Sequence, residues 1–212
     1  RGSGLVRKLT SPFMLCMAFF QSFNVIRRVR PDCVLGMGGF ICGPAGLAAK
    51  LLRKPLLIHE QNAVAGLTNN LLSKVSTKVF EAFPNTFNEQ VNAVHTGNPL
   101  RAEIFNIDKA EVEVNSNSML KLLVLGGSQG SASINKVIPE IAANWTESGI
   151  LSIRHQTGGA TLQETAQHYQ KLGIQLNNNL VLEPFINDMA SAYKWADIVI
   201  CRSGASTVSE LA

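Results

Sequence analysis

Residues 122–130 read LLVLGGSQG, an apolar run that passes directly into a glycine-rich loop. Short apolar runs of this kind are typical of strands in a parallel sheet. Glycines placed straight after such a strand let the backbone turn into a helix and approach a ligand closely. The stretch therefore predicts a strand, a loop and a helix that belong to an α/β sheet.

The same unit recurs on both sides of this stretch. Further apolar runs that favour strands lie at residues 33–35, 56–58, 78–80, 91–94, 150–153, 180–182 and 198–200. Segments that favour helices lie over residues 13–28, 44–52, 67–76, 163–172 and 189–195, from the loop at 126–130 to about 144, and from 205 onward. Strands that alternate with helices are typical of parallel sheets, so the fold class is predicted to be α/β.

A break in this alternation indicates two domains. After Arg101 the pattern decays, and residues 111–118 read EVEVNSNS, a mixed polar segment typical of a connector. We therefore predict a first Rossmann-like domain over residues 1–104, a connector over 105–118 and a second Rossmann-like domain over 119–212. A length of 212 residues allows two such domains.

Composition and charge restrict the class of protein only broadly. The chain has 46% hydrophobic and 16% charged residues, as an ordinary soluble α/β protein does. Its net charge of +4 suits an anionic partner, which on charge alone can be a nucleotide, a phospholipid surface or a nucleic acid. The four cysteines form no C-x-x-C pair and show no zinc-ligand spacing, so reduced thiols in a cytosolic protein are predicted.

No segment predicts a transmembrane helix or a signal peptide. The most apolar stretch, residues 13–20, is far shorter than the roughly 20 residues that span a bilayer, and a cytoplasmic location is expected. Both ends look cut, because the chain opens on a loop-like RGSG without an initiator methionine and stops in what reads as the first turns of a helix. We therefore expect a fragment of a longer protein.

Three loops place glycine at the end of an apolar strand, at residues 36–39, 126–130 and 201–207. Where the carboxyl ends of strands meet helix N-termini, unpaired N–H groups and the helix dipole favour anions. A tight turn explains any one of these loops equally well. Three of them together, two of which contain serine, favour phosphate binding.

A dinucleotide-binding enzyme is the main rival interpretation of such loops. The G-x-G-x-x-G pattern would require glycine where Ile41 and Ser128 stand, and Arg154 and His155 occupy the place of the acidic residue expected after the next strand. This class of site is therefore disfavoured. No G-x-x-x-x-G-K-[ST] sequence occurs, so the P-loop pattern is absent as well.

Four polar residues, His59-Glu60-Gln61-Asn62, follow the apolar run at 56–58. Polar side chains at the end of a buried strand need hydrogen-bond partners. They can bond to one another and cap the next helix, or they can bind a ligand. Their place at the carboxyl edge of the predicted sheet favours the second interpretation.

Taken together and in this order, these motifs resemble the MurG family, the peptidoglycan N-acetylglucosaminyltransferases. The resemblance runs the whole length of the chain and is carried by GMGGF at 36–40, HEQN at 59–62 with Gly66 and Asn69, GNPLR at 97–101, GGSQG at 126–130 and CRSGASTVSE at 201–210. It implies a GT-B type α/β fold, in which two Rossmann-like domains have parallel sheets facing a cleft.

The resemblance also implies the reaction. N-acetylglucosamine would move from UDP-N-acetylglucosamine to undecaprenyl-pyrophosphoryl-N-acetylmuramyl-pentapeptide, whose muramyl C4 hydroxyl displaces UDP with inversion at the anomeric carbon. Neither a metal ion nor a cofactor is expected, and no nucleic acid partner is expected.

Particular residues of the second domain match the family's donor site. Ile186 matches the residue whose backbone meets uracil, and Glu210 matches the carboxylate that grips the ribose hydroxyls. The resemblance places the pyrophosphate over the helix start formed by Ala205, Ser206, Thr207, Val208 and Ser209, with Ser128 and Arg101 as further diphosphate ligands.

In the first domain, Asn62 matches a contact to the donor sugar across the cleft, and His59 and Glu60 beside it are candidates for structural or acceptor-side roles. The catalytic base stays unassigned. The family's glycine-rich loop with a functional histidine would precede residue 1, and its glutamine pair that reads the donor sugar would lie beyond residue 212. His59 and Glu60 are therefore the candidates within the chain, and the chain alone is expected to be inactive.

Two other functions stay open on the sequence alone. One is a non-catalytic fragment that binds a UDP-sugar. The second is a different GT-B enzyme, such as a lipid glucosyltransferase or a nucleotide-sugar epimerase, which the HEQN block disfavours.

The apolar segment at residues 13–20 has two interpretations. It can be a core helix, or it can contact an anionic membrane surface, since basic residues precede it and it is more apolar than one buried face requires. The side chains that suggest the contact are Phe13, Met14, Met17 and Phe20. Because the family's acceptor resides in that surface, a peripheral location at the cytoplasmic face of the cell membrane is expected.

Overall fold

Strands that pair in parallel alternate with helices in the computed structural model, which describes residues 5–107, 119–127, 129–145, 150–177 and 179–212. The chain divides into two compact units, Arg1–Pro99 and Leu100–Ala212. Each unit has its own four-stranded sheet and its own apolar clusters. The α/β class predicted from the sequence is confirmed.

The first unit begins with a long helix and continues as a parallel sheet. Its elements in chain order are α1 (Leu5–Val29), β1 (Val34–Gly36), α2 (Cys42–Leu51), β2 (Leu56–Glu60), α3 (Leu67–Ser73), β3 (Lys78–Glu81), a 3₁₀ turn (Glu89–Val91) and β4 (Val94–His95). The strands lie in the order β1-β2-β3-β4. Since consecutive strands are neighbours and run parallel, their carboxyl ends meet at one edge of the sheet.

Two apolar clusters hold the first unit together. One joins β2 to α3 and β3 through Ile58, Leu72 and Val79. The second joins α1 to α2 through Ile26 and Ala48. None of the helices among the described residues combines the length and the apolar character that crossing a bilayer requires.

The second unit repeats the alternation with longer strands. Its elements are α4 (Ala102–Phe105), β5 (Leu120–Leu125), α5 (Ala132–Trp145), β6 (Leu151–Gln156), α6 (Leu162–Lys171), β7 (Leu180–Glu183), α7 (Met189–Trp195), β8 (Ile198–Cys201) and α8 (Ala205–Leu211). The strand order is β7-β6-β5-β8, and all three pairings are parallel. The chain therefore builds outward from β5 on one side and returns to its other side with β8.

Both faces of β5 are covered, which explains its uninterrupted apolar sequence. Val124 packs on one face, in a cluster with Ile138 of α5. Leu123 belongs to a separate cluster with Ile186 and Ala192, on the side of α7. Successive side chains of a strand point to opposite faces, so each apolar residue of the run has a core to enter.

Two short elements differ from the prediction. The predicted strand over residues 91–94 is wrong, because Val91 closes the 3₁₀ turn and Asn92 takes a left-handed conformation with φ of 49°. A strand needs extended backbone, so β4 begins only at Val94. The sequence also did not predict α4, which is a single turn. The connector predicted at 105–118 lies largely outside the described residues, and the predicted domain boundaries stay a prediction.

Candidate functional site

The strand order of the second unit predicts a crevice at the carboxyl ends of β5 and β8. The chain leaves β5 toward β6 on one side, whereas β8 lies on the other side, so the connections diverge between these two strands. Leu125 is paired with Cys201, and both strands therefore end at the same level. Ligands of open α/β sheets bind at such a point of divergence, because loops and helix N-termini surround it.

The loop after β5 forms one wall of this crevice. Gly127 and Gly130 both take positive φ angles, of 79° and 75°, and the Gly130 N–H donates to the Gly127 carbonyl at 2.9 Å. A Cβ atom on Gly130 would overlap the Thr157 carbonyl oxygen, so only glycine fits there. Ser128, predicted as a diphosphate ligand, lies outside the described residues.

The second wall is formed by the start of α8 after β8. Gly204 is the N-cap residue of this helix and makes no side-chain cap bond of its own. The predicted pyrophosphate-binding residues all lie on α8: Ser206 and Val208 are exposed, and Ala205, Thr207 and Ser209 are half-buried. The Ser209 hydroxyl donates back to the Ala205 carbonyl at 2.9 Å, so it serves the helix itself in this structure.

Glu210 stands on α8 with both carboxylate oxygens in contact with donors. The Tyr193 hydroxyl donates to Oε2 at 2.8 Å, and Arg101 Nη2 donates to Oε1 at 3.2 Å. The structure thus brings together two residues that the sequence singled out separately, Arg101 and Glu210. It adds Tyr193, which sequence reasoning missed because no motif includes it.

Tyr193 is held as a hydrogen-bond donor by its surroundings. Burial, together with the hydrogen bond to Glu210, raises the pKa of Tyr193 well above its ordinary value. The phenol therefore keeps its proton at neutral pH. Its hydroxyl can donate a hydrogen bond to an acceptor such as the Glu210 carboxylate.

Ile186 follows β7 and belongs to the apolar core of the second unit. The residue as a whole, backbone included, is only 2% exposed, and it packs with Leu123, Leu125 and Ala192. The predicted contact with uracil involves the backbone of Ile186, and no side-chain interaction is needed for it. That contact stays a prediction.

A second polar cluster lies in the first unit, at the end of β2. Glu60 is buried and accepts four hydrogen bonds, from the N–H groups of Asn62 and Gly66 and from the side-chain amides of Asn62 and Asn69, at 2.8–3.1 Å. Burial acts to raise the pKa of Glu60, but the hydrogen bonds outweigh it and hold the pKa below its ordinary value. Glu60 is therefore an ionised organiser of the loop after β2.

His59 ties this cluster to a turn that the sequence marked separately. Its Nε2 lies 3.0 Å from the Gly97 carbonyl oxygen, and Asn98 Nδ2 donates to the Gln61 carbonyl at 3.1 Å. Since a carbonyl only accepts, Nε2 carries the proton. His59 Nδ1 is then an acceptor, and it is buried with no partner among the described residues.

Asn62 is exposed at the surface of the same cluster. Its side-chain amide donates to Glu60 Oε1 at 2.8 Å, and its carbonyl accepts from the Thr86 hydroxyl at 3.2 Å. The structure thus brings together His59, Glu60 and Asn62. Each of them makes hydrogen bonds within the protein. Their roles toward substrates stay predictions.

No group of three or more His, Cys, Asp or Glu side chains is placed to hold a metal ion in the part of the chain that the structure describes. Whether the reaction needs a metal ion stays a prediction from the sequence.

Comparison with known proteins relates both units to one enzyme family. Residues 1–81 match the glycosyltransferase family 28 N-terminal domain, and residues 121–212 match the glycosyltransferase family 28 C-terminal domain. The chain is 47% identical over 212 residues to the UDP-N-acetylglucosamine--N-acetylmuramyl-(pentapeptide) pyrophosphoryl-undecaprenol N-acetylglucosamine transferase of Marinobacter nauticus, covering 100% of this chain and 57% of that protein. The chain therefore spans rather more than half the length of the curated relatives it matches.

Solved structures agree with this relationship. The crystal structure of Acinetobacter baumannii MurG matches with a TM-score of 0.70 at 37% identity, over 100% of this chain and 58% of that chain. The UDP-GlcNAc 2-epimerase of Neisseria meningitidis matches with a TM-score of 0.60 at 17% identity, over 90% of this chain and 59% of that chain. At that identity the second likeness extends to the fold alone.

Proposed function

Because the chain belongs to glycosyltransferase family 28, we propose that the whole protein transfers N-acetylglucosamine from UDP-N-acetylglucosamine to a lipid-linked N-acetylmuramyl-pentapeptide in peptidoglycan synthesis. The resemblance to the MurG family and the α/β fold of GT-B type with parallel sheets are confirmed, and the facing cleft stays a prediction. Relatives at 43–47% identity over the whole chain are named for this transfer. The proposal extends their reaction to the protein of which this chain covers a part.

The observation that carries the proposal is the pairing of Glu210 with Arg101 beside the crevice of the second unit. A UDP-sugar has two neighbouring ribose hydroxyls, from which a carboxylate can accept hydrogen bonds. It also has a diphosphate, which a guanidinium can bind through two N–H groups. The Glu210 carboxylate and the Arg101 guanidinium, 3.2 Å apart, can therefore bind adjacent parts of the same ligand.

In the proposed reaction the muramyl C4 oxygen forms a bond to the anomeric carbon of the donor sugar, while the bond from that carbon to the β-phosphate oxygen breaks. The proton of the C4 hydroxyl passes to a base, and UDP leaves with the additional negative charge. Arg101 and the backbone N–H groups of the loop after β5 would stabilise that charge. Glu60 is a poor base, because its four hydrogen bonds stabilise the ionised form.

The test is a transfer assay with the full-length protein, radiolabelled UDP-N-acetylglucosamine and a lipid-linked muramyl-pentapeptide. We expect a labelled disaccharide product and stoichiometric UDP. Glu210→Ala should weaken UDP binding about tenfold or more, since a charge-assisted hydrogen bond to ribose contributes roughly 1.5–3 kcal/mol.

Glu183→Ala is a matched control for this variant. It removes a different carboxylate of the same unit, which is paired with Arg154 at 2.9 Å and belongs to no proposed contact with the donor. We expect it to leave UDP affinity unchanged. Epimerised or hydrolysed donor without a disaccharide would refute the proposed transfer, and unchanged UDP affinity in Glu210→Ala would refute the assignment of the donor site.

We further propose that the protein acts as a peripheral protein at the cytoplasmic face of the membrane and that α1 contacts anionic lipid there. What supports this is the exposure of large apolar side chains on α1, with Phe13 72% and Phe20 62% exposed. A groove of about 600 Å³, lined almost entirely by apolar side chains, continues that surface between α1, α2 and α3. Apolar surface of this extent is typical of sites that bind membranes or other partners.

A further inference from the structure

The two oxygens of the Glu210 carboxylate lie in different surroundings. Oε1 is paired with Arg101, whose side chain is 51% exposed, whereas the Glu210 side chain itself is only 14% exposed. Exposed ion pairs exchange readily with water and with other charges, because solvent screens them. The contact of Oε1 with Arg101 is therefore the one that a ligand can replace.

Oε2 is held by a more constrained donor. Tyr193 lies on α7, and its ring packs against the cluster that contains Leu123, Leu125 and Ile186. Its hydroxyl reaches Oε2 at 2.8 Å. The tyrosine side chain has few rotatable bonds and its ring is fixed by packing. Its hydroxyl therefore holds the carboxylate in one position.

We propose that Tyr193 is a positioning residue for recognition of the donor's ribose: it occupies Oε2 of Glu210, fixes the plane of the carboxylate and leaves Oε1 for a ribose hydroxyl. This inference rests on the proposed function, in which Glu210 binds ribose. Arg101 then releases Oε1 when it turns to the diphosphate. Tyr193 itself touches no substrate in this arrangement.

The experiment measures how strongly the full-length protein distinguishes UDP from 2′,3′-dideoxy-UDP, which lacks both ribose hydroxyls. Calorimetric titrations are done on the wild type and on Tyr193→Phe, which keeps the ring and removes only the hydroxyl. We expect Tyr193→Phe to bind UDP about fivefold more weakly, as for the loss of one hydrogen bond, while its affinity for the dideoxy analogue stays at the wild-type level.

Tyr169, the other of the chain's two tyrosines, provides a matched control. It also lies in the second unit, and its hydroxyl also takes part in a hydrogen bond. Tyr169→Phe deletes the same atom next to His155, away from Glu210. We expect it to lower the thermal stability and to leave the ratio of the two affinities unchanged. A general loss of packing would alter both tyrosine variants alike, and that outcome would overturn the proposal.

Glu210→Ala separates this inference from the proposed function. If Glu210→Ala retains the preference for UDP, the assignment of Glu210 to ribose fails, and the role of Tyr193 fails with it. If Glu210→Ala loses the preference but Tyr193→Phe keeps it in full, only the positioning role is overturned. In the double variant we expect no loss beyond that of Glu210→Ala, because Tyr193 acts through the carboxylate.

Discussion

His155 is a fully buried histidine in the second unit, and each of its ring nitrogens has a polar partner. Nε2 lies 3.1 Å from Asn135 Oδ1, and Nδ1 lies 3.1 Å from the Tyr169 hydroxyl. Since the amide oxygen only accepts, Nε2 donates and Nδ1 accepts from the tyrosine. The neutral ring satisfies both contacts, and burial lowers the pKa of His155 to about 4.

This histidine makes the second unit sensitive to acid. In the unfolded chain the pKa returns to about 6.5, so below that pH the unfolded state binds a proton that the folded state refuses until about pH 4. The stability contribution is present above pH 6.5 and is lost as the pH falls toward 4, by up to about 3 kcal/mol. Denaturant unfolding of the full-length protein at a series of pH values, followed by tryptophan fluorescence, measures it. Trp145 and Trp195 both lie in the second unit.

Two variants identify the group responsible. His155→Phe is expected to be less stable than the wild type at every pH. Its free energy of unfolding should change much less between pH 6.5 and 4 than that of the wild type. His168→Gln, on the half-exposed face of α6, is expected to keep the wild-type pH dependence. An unaltered acid response in His155→Phe would assign the effect to other groups.

Single residues of the proposed donor site were predictable, but their contacts were not. The motif at 201–210 and the turn at 97–101 pointed to Glu210 and Arg101. These two residues are 109 positions apart, and Tyr193 is 17 positions from Glu210, so no helical or strand periodicity links them. By contrast, the bonds of Glu60 to Asn62 and Gly66 are local, and such local bonding was foreseen as one interpretation of the HEQN motif.

Strands with a long apolar run, and the helices that follow them, were predictable from the sequence. Strands β5 to β8 and helices α5 to α8 were all foreseen, with ends that differ by one to a few residues. The elements that were not predicted correctly are both short, α4 with four residues and β4 with two. Elements of that length carry too few residues for a hydrophobic period, and local backbone geometry decides them.

The apolar surface of α1 is expected to bind anionic lipid. Met14 and Met17 are 56% and 47% exposed. Replacing both with Asp in the full-length protein should weaken binding to anionic phosphatidylglycerol vesicles by roughly tenfold or more, because a buried apolar side chain contributes about 1.5–3 kcal/mol. Vesicle cosedimentation measures the effect. Added salt should also weaken binding, since the Debye length is only about 8 Å at physiological ionic strength.

A matched control for α1 comes from the second unit. Val137 and Ile141 are exposed on α5 to similar extents, 48% and 38%, and their double replacement by Asp adds the same charge elsewhere. We expect that variant to bind vesicles as the wild type does. If the α1 variant unfolds instead, α1 is a core helix; if it binds vesicles normally, the membrane contact lies on another surface.

At the scale of the whole molecule, the sequence predicted two parallel sheets but not how their strands are ordered. The alternation of strands and helices indicates parallel pairing, because a crossover helix must separate parallel neighbours. It does not reveal on which side of β5 the strand β8 pairs. That choice sets the point of divergence between β5 and β8, at which the loop after β5 and the start of α8 follow their strands.

We expect residues 1–212 as an isolated polypeptide to transfer no N-acetylglucosamine, in contrast to the activity proposed for the full-length protein. The chain covers 57–58% of the length of its curated relatives, so the isolated polypeptide lacks whatever the rest of the protein contributes. Transfer requires donor and acceptor in a reactive geometry, and losing well-oriented reactants costs roughly 10⁵-fold or more in rate. Binding of UDP should fall less, because Arg101, Tyr193 and Glu210 all lie within one compact unit. Both polypeptides are assayed at equal molar concentration for transfer and for UDP affinity, and circular dichroism shows whether residues 1–212 are folded. Turnover by folded residues 1–212 within about tenfold of the full-length rate, a difference of only about 1.4 kcal/mol in barrier, would show that the chain already contains the groups needed for transfer.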